Sequence, residues 1–255
     1  MADEATLDRL SDICRHARAM LFVTGAGVSV DSGLPTYRGI GGLYERRLTP
    51  EGLSIEEALS GATWNARPDL TWKYLAEIEA TCRGAQPNAA HLAMAELERL
   101  HPDSVVFTQN VDGLHRQAGS QAVIEIHGSL HRLRCVECGR SRLVPDFGGL
   151  ALPPQCPACG GLVRPDVVLF GEALPERGLR EFERAWNRGF DVVFSVGTTS
   201  VFAYIAAPVV WARQQGICTV EINPGRTQVS DLVDIRVRAG AAEAMAGLMS
   251  RLRDS

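Results

Sequence analysis

The sequence predicts an α/β fold built on a doubly wound parallel sheet, an expectation that rests on three observations. Short continuous apolar runs recur along the chain, the pattern of strands buried on both faces of a parallel sheet. Stretches of helical periodicity lie between several of them, as crossover connections require. Two stretches then break the alternation, and one of these holds two CxxC pairs.

Taken in order, residues 4–18 place Ala5, Leu7, Leu10, Ile13 and Ala17 at roughly helical spacing. Residues 19–24 form a strand run that ends at Gly25, and further runs lie at 104–108, 122–126, 191–196 and 218–222. Helices are expected at 91–99, 181–188 and 205–215, joined to the strands by right-handed connections. Residues 39–83 read as loop and short helices, with Trp64 and Trp72 as packing anchors. Residues 131–164 are rich in Cys, Pro and Gly and poor in large apolar side chains. Neither stretch would build a core without help.

Composition bounds the class. The chain has 255 residues, 45% apolar and 22% charged, ordinary for a globular protein with a sizeable core. That excludes a disordered chain, a collagen-like chain and a small disulfide-stapled scaffold. A net charge of −4 offers no overall basic face for nucleic acid. No apolar run approaches the ~20 residues of a membrane span. Residues 1–18 are charged throughout, unlike a secretory leader. A cytoplasmic, reducing compartment is the expectation, where closely paired cysteines more often hold metal than form disulfides. The oligomeric state is left open, with a monomer as the expectation.

Cys135-Val-Glu-Cys138 and Cys156-Pro-Ala-Cys159 are separated by 17 residues. Each CxxC turn presents two thiolates at a separation that tetrahedral zinc accepts, which assigns all four to one structural Zn2+; a redox dithiol pair is the other reading. Four sulfur ligands leave no open position, so no chemistry is expected at the metal. Cys14, Cys82 and Cys218 are left as packing residues.

Three polar turns follow strand runs, and the carboxyl ends of strands are where open α/β sheets bind ligands. In Thr24-Gly-Ala-Gly-Val-Ser29, Gly25 and Gly27 let the backbone approach a phosphate, although a plain strand-to-helix turn uses the same residues. The turn is neither a GxGxxG fingerprint nor a P-loop. Arg38, the only cation of the loop that follows, suits a phosphate or carboxylate, or else a surface ion pair. Gln109, Asn110 and Asp112 bring three hydrogen-bonding side chains to the second turn, in a pattern that also simply favours turns. His127-Gly128 ends the third run. A histidine there is placed as a general base, the alternative being a capping or core histidine.

In this order and spacing the motifs resemble the sirtuin family of NAD-dependent protein deacylases. The matching stretches are residues 25–38, 108–115, His127-Gly128, the two CxxC pairs, residues 165–172, Gly197-Thr-Thr-Ser200 and Asn223-Pro224. The resemblance implies a Rossmann-like NAD-binding domain of residues 1–38, 84–130 and 165–255. It implies a small domain made of the helical module, 39–83, and the zinc ribbon, 131–164. NAD, as co-substrate, and an acyl-lysine peptide would meet between the two. By the same resemblance, Gly25, Ala26, Gly27, Ser29, Pro35, Tyr37 and Arg38 form the cofactor loop. Gln109, Asn110 and Asp112 contact the ribose and nicotinamide; Gly197, Thr198, Ser200, Asn223 and Ala241 serve the adenine side. Val168, Leu169, Phe170 and Gly171 hold the acyl-lysine as an extended strand. Asn110 and His127 are the catalytic pair. In the implied chemistry the acyl oxygen attacks the nicotinamide ribose carbon and nicotinamide leaves. His127 then deprotonates a ribose hydroxyl, which attacks the imidate carbon, and water releases lysine and 2′-O-acyl-ADP-ribose.

The sequence departs from the family pattern in places. Family members that prefer succinyl or malonyl groups carry a Tyr-x-x-Arg pair on the helical module. Counting from Pro68, those positions fall on Leu75 and Ile78; counting back from Gln86-Pro-Asn88, on Lys73 and Ala76. Glu77 would repel a carboxylate, so a neutral acyl group is expected: acetyl, or a longer chain if Leu75 and Ile78 line the pocket. Tyr37 replaces the usual Phe, and Thr199 and Phe202-Ala203 vary the stretch after Gly197-Thr198. Two other functions compete: mono-ADP-ribosyl transfer, which the same residues would serve, and a non-catalytic NAD-sensing module, against which Arg38, Asn110, Asp112 and His127 together argue. Lys73 is the only lysine, so the substrate lysine is expected on another protein.

Overall fold

In the computed structural model, residues 3–36 and 48–253 are described. In chain order the elements are α1 (Glu4–His16), β1 (Met20–Thr24), a 3-10 helix (Ala26–Ser32), α2 (Ile55–Ala58), α3 (Gly61–Ala66), α4 (Pro68–Cys82), α5 (Ala89–Leu100), β2 (Val105–Thr108), α6 (Leu114–Gln117), β3 (Val123–Glu125), β4 (Gly128–Cys135) and β5 (Ser141–Leu143). They continue with β6 (Val163–Val167), α7 (Glu176–Arg188), β7 (Val192–Val196), α8 (Ala203–Gln214), β8 (Cys218–Ile222), β9 (Ile235–Val237) and α9 (Ala241–Arg253).

Six strands form one sheet in the order β3-β2-β1-β7-β8-β9, and every adjacent pair is parallel. Side chains alternate across it, as strand geometry dictates. Met20 and Phe22 of β1 pack into a cluster with Leu10 of α1, Met94 of α5 and Met245 of α9. Leu21 and Val23 point the other way, into a cluster with Phe182 of α7 and Val209 of α8. Both faces are therefore covered, which is why the strands read as continuous apolar runs. The chain runs outward from β1 through β2 to β3, then returns to the other side of β1 as β7. That reversal between β1 and β7 is the switch point at which such sheets open a crevice for ligand.

A second, three-stranded antiparallel sheet has the order β5-β4-β6. It occupies the cysteine-rich stretch, with β4 and β6 running about three residues beyond its expected limits. Residues of the two interrupting stretches share one apolar cluster: Leu59, Trp64, Leu70, Trp72 and Leu75 pack with Leu133, Cys135, Phe147, Cys156 and Val163. Trp72 is fully buried there, and its Nε1 donates to the Val163 carbonyl at 2.8 Å. The helical stretch is more regular than expected, because Pro68 opens a 15-residue α4. Several elements have no counterpart in the sequence reading: the 3-10 helix, α6, the three strands of the antiparallel sheet, β9 and α9. β9 has three residues, and α9 (AAEAMAGLMSRLR) buries a helical stripe of Ala241, Ala244, Met245, Leu248 and Met249, in which small and flexible side chains outnumber branched aliphatics.

Gly128 joins the two sheets. Its φ is +81°, and a Cβ there would lie 1.8 Å from the Asp166 carbonyl oxygen. Only glycine lets the chain leave β3 and enter β4 at this point. His127, immediately before it, is thereby held at the junction.

Candidate active site

The carboxyl ends of β1, β2, β3, β7 and β8 converge on a cavity of about 590 Å³. Gly25, Ala26 and Gly27 line it from β1, Gln109 and Asn110 from β2, and His127 from β3. Gly197 and Thr198 line it after β7, Asn223 after β8, and Ala241 at the start of α9. Val168, Leu169, Phe170 and Gly171 form another wall. Ser29, Pro35 and Asp112 instead border a small adjoining recess, with Ala26 and Asn110 shared by both. Ser200 does not line the cavity: it is buried, with φ +54° and its Oγ 3.4 Å from Ser195 Oγ. Tyr37 and Arg38 lie outside the described residues.

The two glycine turns meet each other. A Cβ on Gly27 would lie 2.7 Å from Gly197 Cα, and one on Gly25 would lie 2.8 Å from Thr198 Cβ. Their smallness is thus already required by the crossing of the β1 and β7 turns at the switch point. Hydrogen bonds lock that crossing. Gln109 Nε2 donates to Thr198 Oγ1 at 2.8 Å, and Asn223 Nδ2 donates to the Thr198 carbonyl at 3.2 Å.

Asn110 is buried, and its Nδ2 donates to the Gly25 carbonyl and to Ser29 Oγ, both at 3.2 Å. Ser29 Oγ in turn donates to Asp112 Oδ2 at 2.8 Å, and Asp112 Oδ1 accepts from Leu114 N at 3.0 Å. The three polar residues of the second turn therefore do more than shape a turn, since all of them tie into the first one: Asn110 and Asp112 as above, and Gln109 through its Nε2, which also donates to the Thr24 carbonyl at 3.3 Å. Beneath them, the His91 and His115 rings meet edge to face, with centroids 4.8 Å apart. Burial pulls His115 down to about 3 and lowers His91 as well, so both are neutral.

His127 Nδ1 is 3.1 Å from the Gln109 carbonyl oxygen. A carbonyl only accepts, so Nδ1 carries the proton and Nε2 keeps its lone pair. Burial pulls this histidine down to about 4, opposed by the Gln109 carbonyl. The ring is therefore a neutral base at pH 7. Its Nε2 lies 2.7 Å from Tyr204 Oη, so the phenol donates to it. Tyr204 was not singled out by the sequence; the only signal was the unusual stretch around Phe202-Ala203.

The wall at Val168–Gly171 is pinned at both ends. Val168 N donates to the His127 carbonyl at 2.9 Å, and Phe170 N donates to the Leu59 carbonyl at 2.9 Å. Glu172 anchors the following turn by pairing with both terminal nitrogens of the buried Arg164, at 2.7 and 2.9 Å. The sequence did not signal this clamp. Leu75 and Ile78 line the cavity, joined by Leu59, Val111, Leu130 and Phe170. This supports the count from Pro68. Glu77 is exposed and takes no part in the lining, which corrects the expectation that its charge guards the pocket. What disfavours a carboxylate is that no lysine or arginine lines the cavity among the described residues.

The four cysteine sulfurs lie within 4.8 Å of one another, with 3.5 Å between Cys135 and Cys159 and 3.7 Å between Cys138 and Cys156. A tetrahedron of ~2.3 Å zinc–sulfur bonds places its sulfurs about 3.8 Å apart. The set fits a structural zinc ion, and the ion would tie the two loops of the antiparallel sheet together. Cys14 and Cys82 are packed thiols, pushed up to about 12 by burial.

Fold and site together define a nucleotide-binding α/β protein with a metal-stapled insert over the crevice. The Sir2 family model matches residues 25–203, and the chain belongs to the Sir2 family. "NAD-dependent protein deacylase 2" of Pseudomonas aeruginosa is 48% identical over 260 residues, covering 99% of both chains. A crystal structure of a Sir2 homologue with NAD superposes with a TM-score of 0.87 at 38% identity, covering 97% of this chain and 94% of the other. A Sir2 structure with a p53 peptide and NAD+ superposes at 0.83 with 28% identity, covering 97% and 98%.

Proposed function

We propose that this protein is an NAD-dependent protein-lysine deacylase that transfers a neutral acyl group to ADP-ribose and releases nicotinamide. The observation that carries this reading is the setting of His127: a neutral imidazole with a defined tautomer, at the junction of the two sheets, facing a cavity that Asn110 and Gln109 also line. We assign residues 39–83 and 131–164 to a small domain and the rest to the NAD-binding domain; the cluster that Trp64 and Trp72 share with Leu133 and Phe147 supports this, and it extends across the boundary to Leu130, Val167 and Leu169.

A neutral amide is a poor nucleophile, so the first step depends on holding the acyl oxygen against the ribose carbon. The pinned segment Val168–Gly171 supplies a fixed edge for an extended acyl-lysine peptide. Asn110 orients groups beside the glycine turn, and the apolar wall of Leu75, Ile78 and Leu130 receives the acyl chain and excludes water. His127 serves the second step, taking the proton of a ribose hydroxyl. The same residues would support ADP-ribosyl transfer; the apolar pocket beside His127 favours acyl transfer. Lys73 pairs with Glu51 at 2.8 Å and does not line the cavity, in keeping with a substrate lysine on another protein. Among the described residues no helix is long and apolar enough to cross a membrane. We read the protein as a cytoplasmic monomer acting on acylated proteins. Turnover of acetyl- and succinyl-lysine versions of one peptide tests the acyl assignment. Acetyl turnover at least about tenfold faster is expected, and faster succinyl turnover contradicts it.

A further inference from the structure

His127 is the base of the proposed reaction, yet its lone pair does not face the cavity unaccompanied. Its Nδ1–H is committed to the Gln109 carbonyl, and its Nε2 accepts from Tyr204 Oη at 2.7 Å. The phenol ring is held in place: it stacks on Phe202 with centroids 5.5 Å apart and planes 16° apart. Both rings stand edge-on to the imidazole, at 5.9 Å and 6.2 Å, and both line the cavity. A ribose hydroxyl could reach Nε2 directly only if Tyr204 broke its hydrogen bond and left that stack. A phenol oxygen that donates one proton keeps acceptor lone pairs. It can therefore take a proton on one side while giving one on the other.

We propose that Tyr204 is a catalytic proton relay between the ribose hydroxyl and His127, a role that rests on the deacylase reading above. In the step, the ribose O–H bond breaks and its proton passes to Tyr204 Oη, as the Tyr204 O–H bond breaks and its proton passes to His127 Nε2. The phenol ends neutral and the imidazole ends as imidazolium; the ribose oxygen bonds to the imidate carbon with its freed electron pair, and the C=N π pair moves onto the imidate nitrogen. Among the described residues, hydrogen bonds and ring contacts place the Gln109 carbonyl, Tyr204 and Phe202 against the His127 ring, and of these the phenol is the group that titrates. This arrangement suits a base that burial makes weak, because the proton is never separated from an acceptor.

The test is Tyr204→Phe, which keeps the ring and removes only the hydroxyl. Acyl-ADP-ribose formation from NAD and an acetyl-lysine peptide should fall about 100-fold, the scale of a lost acid–base group. Exchange of labelled nicotinamide into NAD, which reports the earlier step, should persist. The 15N spectrum of His127 should show Nε2 moving toward a free pyridine-type nitrogen while Nδ1 stays protonated. Acyl transfer within threefold of the parent overturns the relay. So does a change of the His127 tautomer accompanying the loss, since Tyr204 would then only hold the ring. A parent protein that forms no acyl-ADP-ribose overturns the deacylase reading itself and the relay with it.

Discussion

His127 gathers its properties from three directions. β3 delivers it, Gly128 turns the chain away beneath it, and the Gln109 carbonyl selects its tautomer. His127→Ala should lower acyl transfer by a factor of about 10² or more. NAD binding should remain within a few-fold, because Asn110, Gln109 and the glycine turns are tied to one another rather than to the imidazole. Isothermal titration of NAD alongside product formation checks both halves, and retained turnover would remove the residue from the base role. Histidine and the polar turn residues were legible because strand ends select them. Tyr204 was not, since it follows a strand by eight residues and its partner is distant in sequence. Ser200, which the sequence places on the adenine side, is buried behind the cavity wall with a left-handed φ of +54°, a local geometry that no sequence pattern announced.

Among the elements, the antiparallel sheet depends most on something outside the hydrophobic effect. β5 is exposed throughout, and Cys135 and Cys156 are themselves part of the apolar cluster that Trp72 anchors. Zinc at the four sulfurs would close loops that the sparse apolar content of residues 131–164 does not hold. Cys135→Ser should reduce bound zinc well below one ion per chain and lower Tm by roughly 10 °C, the effect of about 3–5 kcal/mol at this size. Elemental analysis with thermal unfolding measures both, and an unchanged Tm after metal loss would show the sheet to be self-supporting. The motif spacing made this site readable from sequence, whereas the Trp72–Val163 bond between helix and ribbon joins residues 91 positions apart and left no trace in any local pattern.

For the whole molecule, the half-buried His127 and the buried His115, both neutral, couple folding to pH. His127 and His115 lie at about 4 and about 3, against 6.5 for an unperturbed side chain. Between 6.5 and those values the unfolded chain binds protons that the folded chain refuses, so stability is full above 6.5 and falls as pH drops through the window. Glu172 and Asp191, both held below their usual range, act in the same direction at lower pH. Denaturant midpoints should therefore decline from pH 7.5 to pH 4.5, and a flat profile would mean that these rings titrate normally in the fold. The doubly wound sheet was legible because burial on both faces leaves an unmistakable apolar run. The packing of α9 was not, because its buried stripe of Ala241, Ala244, Met245, Leu248 and Met249 begins with small side chains that carry little apolar signal.

The central claim is that this cavity couples NAD cleavage to acyl transfer. Mass spectrometry of the unmodified protein, incubated with NAD and an acetyl-lysine peptide, tests it most directly. Equal amounts of nicotinamide, deacetylated peptide and O-acetyl-ADP-ribose are predicted. Nicotinamide release with the peptide still acetylated and ADP-ribose attached to protein would contradict it.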